Sequence, residues 1–242
     1  MRKSFIMLIL CGVAATIALN GCKAGAGKDA GFVDPSVMEK RADLPFHKAW
    51  IKEGLDKSTY DSVYIAPVST QYLIVQNNWW REMFRYHQIQ QDAEKIAVFT
   101  REAFVKAFKE DPNHRFEVVD EPRENTFIVE LAIIELTPNN PFLKAGSYAP
   151  FGIGAGVSLI NSTNLSTVAF EARIRDGSTG ETVAMFTDRE QEKKYIVTDK
   201  HLTWYGHAED IIDDWALQFV ALGNRAPGDI ISDTKTFELK PW

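Results

Sequence analysis

The sequence predicts an α+β fold, a mostly antiparallel sheet with two helices packed on it, in β-α-β-β-β-α order with a Gly-rich insertion. Three observations carry this. Several short β-branched and aromatic runs lie between turn residues. Two longer stretches repeat their apolar residues every three to four positions. The order of these runs, β-α-β-β-β-α with an insertion, is that of an α+β sandwich.

Taken in order, residues 31–60 are mixed, with Pro35 and Pro45 as breakers and Phe32, Phe46 and Trp50 as isolated aromatics. They read as an irregular surface wrap. Ser62 to Val68, SVYIAPV, is the first strand, with Pro67 placing its end at an edge or bulge. Asn77 and Asn78 cap a short helix through Trp80, Met83 and Phe84. A long helix then runs from about Gln88 to Glu110 on Ile89, Ala93, Ile96, Ala97, Thr100, Phe104, Ala107 and Phe108. Asp111-Pro112-Asn113 stops it.

Arg115 to Asp120 is a short strand. Thr126 to Leu136, TFIVELAIIEL, is apolar on both faces and is expected at the centre of the sheet, with Ile128, Val129, Leu131, Ile133 and Ile134 buried. Glu130 and Glu135 lie five residues apart on it, so a regular strand points them to opposite faces. Val168 to Arg175 alternates, with Val168, Phe170, Ala172 and Ile174 inward and Glu171, Arg173 and Arg175 outward. Asp176 to Glu181 is a turn, and Thr182 to Asp188 completes a hairpin. The last helix, about Gly206 to Leu222, buries Ile211, Ile212, Trp215, Phe219 and Leu222. Its Glu209, Asp210, Asp213 and Asp214 face water near the start, where the helix dipole favours acids. Residues 224–242 read as an extended tail.

The N-terminus gives an address. Arg2 and Lys3 precede a charge-free apolar run from Phe5 to Leu19, and Asn20-Gly21-Cys22 follows. The run is shorter than a spanning helix and has the pattern of a secretory signal. A cysteine directly after the cut makes it similar to a bacterial lipoprotein signal. The expected organisation is a signal peptide at 1–21, a lipid-attached tether at 22–30, and a single α+β domain at 31–242 with an apolar Gly-rich insertion at 139–166. Lys23, behind the acylated cysteine, points to the periplasmic face of the outer membrane. Cys11 leaves with the signal, so the mature chain has one cysteine and no disulfide. The net charge of −6 disfavours nucleic acid as the main partner.

DLPFHKAWIKEG, YDSVYIAPV, FVKAFKEDPNHRFEVVD, YAPFGIGAGVS, TVAFEARIRDGSTGE and LTWYGHAEDIIDDWA together resemble the bacterial lipoprotein family of domain of unknown function 3313. The resemblance runs from about Asp43 to Trp242 and implies no established activity. A looser pattern, a helix, RFEVVD, a strand and a hairpin with TGE at its turn, resembles envelope lipoproteins with a β-α-β-β-β-α core. The curli-secretion channel lipoprotein and the lipoprotein activators of penicillin-binding proteins are such proteins. This pattern supports the fold more than any function.

Motifs for chemistry are sparse. His207, Asp210 and Asp214 share one side of the last helix but lack zinc-motif spacing, and the acids read as a solvated face. The sequence has no G-x-S-x-G and no P-loop. No cofactor and no catalytic residue is expected. The insertion carries one charge, Lys144, among glycines, Tyr148 and Phe151. It is a packed edge strand or loop, a partner-binding loop, or a membrane-inserting hairpin. Trp79 and Trp80 cannot both face one core stripe, so one is exposed for a partner or both are half-buried. Cys22 is thus the lipidation site, and Trp79, Trp80, Tyr148 and Phe151 are the partner-binding candidates. The expectation is a non-enzymatic, lipid-anchored envelope module held to the membrane by acyl chains on Cys22 and binding an envelope protein or glycan. The alternatives are a subunit of an oligomeric outer-membrane channel and an envelope hydrolase.

Overall fold

The apolar run TFIVELAIIEL forms strand β4, Thr126–Thr137, inside a six-stranded mixed sheet. The computed structural model describes residues 25–73, 79–137, 167–191 and 206–233, with side chains from residue 90 in the first helix and from 208 in the second. The elements are β1 Lys48–Ile51, β2 Ser62–Ile65, α1 Trp79–Lys109, β3 Glu117–Val118, β4, β5 Thr167–Asp176, β6 Thr182–Gln191 and α2 Gly206–Asn224. The sheet order is β1-β6-β5-β4-β2-β3. β4, β5, β6 and β1 pair antiparallel in succession, whereas β2 runs parallel to both β4 and β3. Parallel pairing of β2 with β4 needs a crossover, and α1 is part of it.

The fold is α+β, as the sequence predicts. Ile128, Val129, Leu131, Ile133 and Ile134 are all buried. Both helices pack on one sheet face, where Phe104, Phe170, Phe186, Trp215 and Phe219 are buried with Phe46. α2 buries Ile212, Trp215, Phe219 and Leu222 of the expected stripe, while Ile211 is half-buried.

Three expectations need correction. Residues 31–60 are not wholly irregular: they supply edge strand β1, and Phe46 sits in the core, 5.0 Å from the Phe186 ring and 5.4 Å from the Phe219 ring. The short helix at Trp80 and the long helix are one, because α1 starts at Trp79 and continues unbroken to Lys109. Glu130 and Glu135 do not point to opposite faces. The β4–β5 register shifts between Ile133 and Glu135, which places Ile134 in a bulge. The extra residue resets the alternation, so both carboxylates lie on the face away from the helices. There Glu130 pairs with Arg173 and Arg175, and Glu135 with Arg189.

That second face is covered too. Residues 25–33, including most of the expected tether, lie along β5. A Cβ added at Gly27 would lie 3.6 Å from the Ala169 Cβ, Ala30 and Phe32 pack on Ala132, Ile134 and Ala169, and Arg173 stacks over the Phe32 ring. Met38, Val33 and Met185 form a second small cluster beside them.

Candidate functional site

Two built features stand out, one on the outer sheet face and one walled by the main core. The first is the Glu171 carboxylate, outward-facing by alternation yet only 1% exposed. It accepts the backbone N–H of Ala30 at 2.6 Å, of Phe32 at 2.8 Å and of Val33 at 3.1 Å. Gly31 between them has φ +87°, a left-handed conformation that lets successive N–H groups converge on one anion.

The second is a pocket of about 520 Å³ at the C-terminal end of both helices, between them and the sheet. Its inner wall includes Val63 of β2, Phe127 of β4, Phe186 of β6, Phe108 of α1, Phe219 of α2 and Phe116. Phe116 follows the loop that ends α1. That loop is fixed by Asp111, which accepts the backbone N–H of Asn113 and Arg115 and the side-chain amide of Asn224. The ends of α1 and α2 are thereby joined at the pocket.

Every charged residue on the wall is cationic except Glu53: the others are Arg41, Lys52, Lys57 and Arg225. Lys52 pairs with Glu181 at 2.7 Å. Arg41 and Arg225 both reach Asp43, whose carboxyl is held well below its ordinary range by the Arg41 hydrogen bond, with Arg225 adding to it. Lys57 donates to the carbonyl oxygens of Leu222, Gly223 and Arg225 at 3.1, 3.2 and 2.6 Å, capping α2. Burial, and then the nearby Arg225 and Arg115, push the Lys57 ammonium below its ordinary pKa. All remaining wall side chains are apolar.

Chemically the arrangement is an apolar cavity with four cationic side chains and one acidic one on its wall. The wall presents no hydroxyl, thiol or imidazole. His47 hydrogen-bonds Asp188 at 2.6 Å elsewhere, and the other Asp188 oxygen accepts the Trp215 indole N–H at 3.0 Å. This arrangement ties β6, α2 and the residue before β1 into the core.

The structure brings none of the sequence-predicted site residues into either feature. Cys22, Tyr148 and Phe151, with the whole 139–166 insertion, lie outside the described residues. Trp79 and Trp80 open α1, and their side chains lie outside them as well. In α2, Asp210 is exposed and Asp214 half-buried. Among the described residues no helix is long and apolar enough to cross a membrane. Sequence reasoning missed the pocket because its wall comes from many separate segments, spread from Arg41 to Pro227. Lys57 and Arg225 carry no local signal at all.

The family model for proteins of unknown function, DUF3313, matches residues 28–219. The chain belongs to this family. The match begins just before the three N–H groups on Glu171 and spans most of the pocket wall. Solved structures to which the chain is similar include the PelC dodecamer from Paraburkholderia phytofirmans, at 8% identity and TM-score 0.38, covering 70% of this chain and 93% of that one. A Xanthomonas campestris protein of the DUF330 family is 11% identical with TM-score 0.41, covering 74% and 88%. A Neisseria meningitidis lipoprotein is 10% identical with TM-score 0.27, covering 64% and 98%. No curated protein matches the chain.

Proposed function

We propose that this DUF3313 protein is a lipid-anchored, non-enzymatic accessory module of the cell envelope, fixed to the periplasmic face of the outer membrane through Cys22, that holds an apolar group of a partner in its pocket. The observation that carries the reading is the pocket itself. It has the volume of a small-ligand site, a wall of phenylalanine, valine and leucine, and charged groups only at its edge. The attachment of residues 27–33 to the outer sheet face supports the anchoring part. It fixes where the chain leaves the domain toward Cys22, on the opposite face of the sheet from the pocket.

Two measurements test this. Replacing Cys22 with Ser should abolish incorporation of labelled fatty acid and release the protein from the membrane fraction; continued incorporation would remove the anchor. The neutral apolar dye Nile red should brighten with the wild-type chain and much less with Leu55→Trp, which fills the pocket from its half-buried edge. Absence of dye binding to wild type would sink the pocket reading.

A further inference from the structure

We propose that the pocket takes the acyl chain of an anionic amphiphile, with the chain against Phe108, Phe116, Phe127 and Phe219 and the acidic head at Lys57, Arg41 and Arg225. The proposal rests on the binding-module reading and names the ligand class of that site.

The apolar wall argues for the chain. Away from the five charged residues, no lining side chain offers a hydrogen-bond donor or acceptor. A sugar or a peptide placed there would bury hydroxyl and amide groups without partners, which is costly. A hydrocarbon loses nothing and gains contact with aromatic faces. Of the two partner classes expected from the sequence, a glycan therefore fits poorly in this pocket. The volume of about 520 Å³ lies in the range of small-molecule sites and suits one acyl chain better than a folded element.

The edge argues for the sign of the head. On the wall itself four cations, Arg41, Lys52, Lys57 and Arg225, stand against one acid, Glu53, while Asp43, Glu39, Asp229 and Glu181 neighbour these cations. This stands out in a chain of net charge −6. Lys57 spends its hydrogens on three neutral carbonyls and makes no ion pair among the described residues. Burial lowers its pKa most, and repulsion by Arg225 and Arg115 adds to that, partly offset by Asp229. An arriving carboxylate or phosphate would relieve that repulsion, whereas a cationic head would add to it.

The test uses the chain from residue 22 to residue 242 with Cys22→Ser, so that no covalent acyl group competes. cis-Parinaric acid is the fluorescent probe, displaced by palmitate, palmitoyl lysophosphatidic acid, 1-hexadecanol or hexadecyltrimethylammonium. The two anions should displace it at least roughly ten-fold better than the alcohol or the cation, as a charge-assisted contact predicts. Their ranking separates a free fatty acid from a phosphate-headed lipid. The double variant Lys57→Gln with Arg225→Gln keeps hydrogen-bond donors and should lose that preference, the two anions falling to the level of the alcohol. Equal displacement by all four, or an unchanged preference in the double variant, would overturn the proposal and leave the Nile red result intact. If probes enter only after residues 234–242 are removed, this chain's own tail is the occupant and the amphiphile is not.

Discussion

The Glu171 carboxylate receives the Ala30 N–H at 2.6 Å across 141 positions of sequence, and so joins the segment that leads to Cys22 to the middle strand of the β4–β5–β6 meander. Phe32 and Val33 donate to the same group. The segment that leads to Cys22 is therefore part of the fold from about Gly27 onward.

Replacing Glu171 with Ala removes an acceptor for three N–H groups at once. Hydrogen bonds to a charged group contribute about 1.5–3 kcal/mol each. Residues 27–33 can peel away and hydrate, so the loss should be local opening more than global unfolding. Amide exchange at Ala30, Phe32 and Val33 should accelerate at least roughly ten-fold, and trypsin should cut faster after exposed Lys28. Glu171→Gln keeps one carbonyl oxygen and should fall between. Unchanged exchange in Glu171→Ala would show that apolar contact by Phe32 alone holds the segment.

Much of this fold is legible in the sequence because burial on both faces leaves a continuous apolar run. Thr126–Leu136 announces a central strand in that way. Alternation in β5 likewise assigns Phe170 and Glu171 to opposite faces. It does not say which face meets water, and here a distant segment covers the Glu171 side. A bulge at Ile134 has no sequence mark, so the Glu130–Glu135 spacing misleads by one residue. β1 is four residues long, too short for a period to show. The pocket is illegible for another reason: it is an absence of packing between elements, whereas periodicity records only which residues pack.

Ile133 sits on the helix-facing side of β4 at 1% exposure. Ile133→Ala leaves a cavity between the sheet and the helices and should lower stability by about 2–5 kcal/mol in urea or guanidinium unfolding. A loss under about 1 kcal/mol would mean that the site collapses freely, against the close packing expected of a central strand.

Tyr60 donates to Asp176 at 2.6 Å and stacks on Phe127 with ring centroids 3.7 Å apart. Burial, aided by the Asp176 hydrogen bond, pushes the phenol up to about 12 from 10.0, while that same hydrogen bond leads those that lower Asp176. The signs differ for the two groups. The raised Tyr60 contributes stability that is complete below pH 10.0 and fades as pH rises through about 12. The lowered Asp176 contributes stability present above its ordinary value of 3.8 and lost as pH falls through its folded value. Ultraviolet titration should show one late-ionising tyrosine that vanishes in Tyr60→Phe, and that variant should lose the extra alkaline sensitivity of unfolding. A late tyrosine that persists in Tyr60→Phe would assign it elsewhere.

Gly223, in the last turn of α2, tests how tightly the pocket is built. A Cβ there would lie 2.7 Å from Cε2 of Phe116, well inside the roughly 3.5–4.0 Å of carbon–carbon contact. Phe116 can yield only toward the pocket. It packs edge-on against Phe127 at 5.7 Å and Phe108 at 6.4 Å, and the Arg115 guanidinium lies 4.5 Å from its ring centroid. Overpacking of this kind costs about 1–3 kcal/mol. Alanine returns part of that, since glycine is the poorer helix former by up to about 1 kcal/mol, less so in a terminal turn. Gly223→Ala should therefore lower stability by about 1–2 kcal/mol. It should also weaken Nile red binding, because the displaced ring belongs to the pocket wall. A more stable protein with unchanged dye binding would show that Phe116 turns aside without cost, and that the junction of the two helix ends is looser than the Asp111–Asn224 contact at 3.0 Å implies.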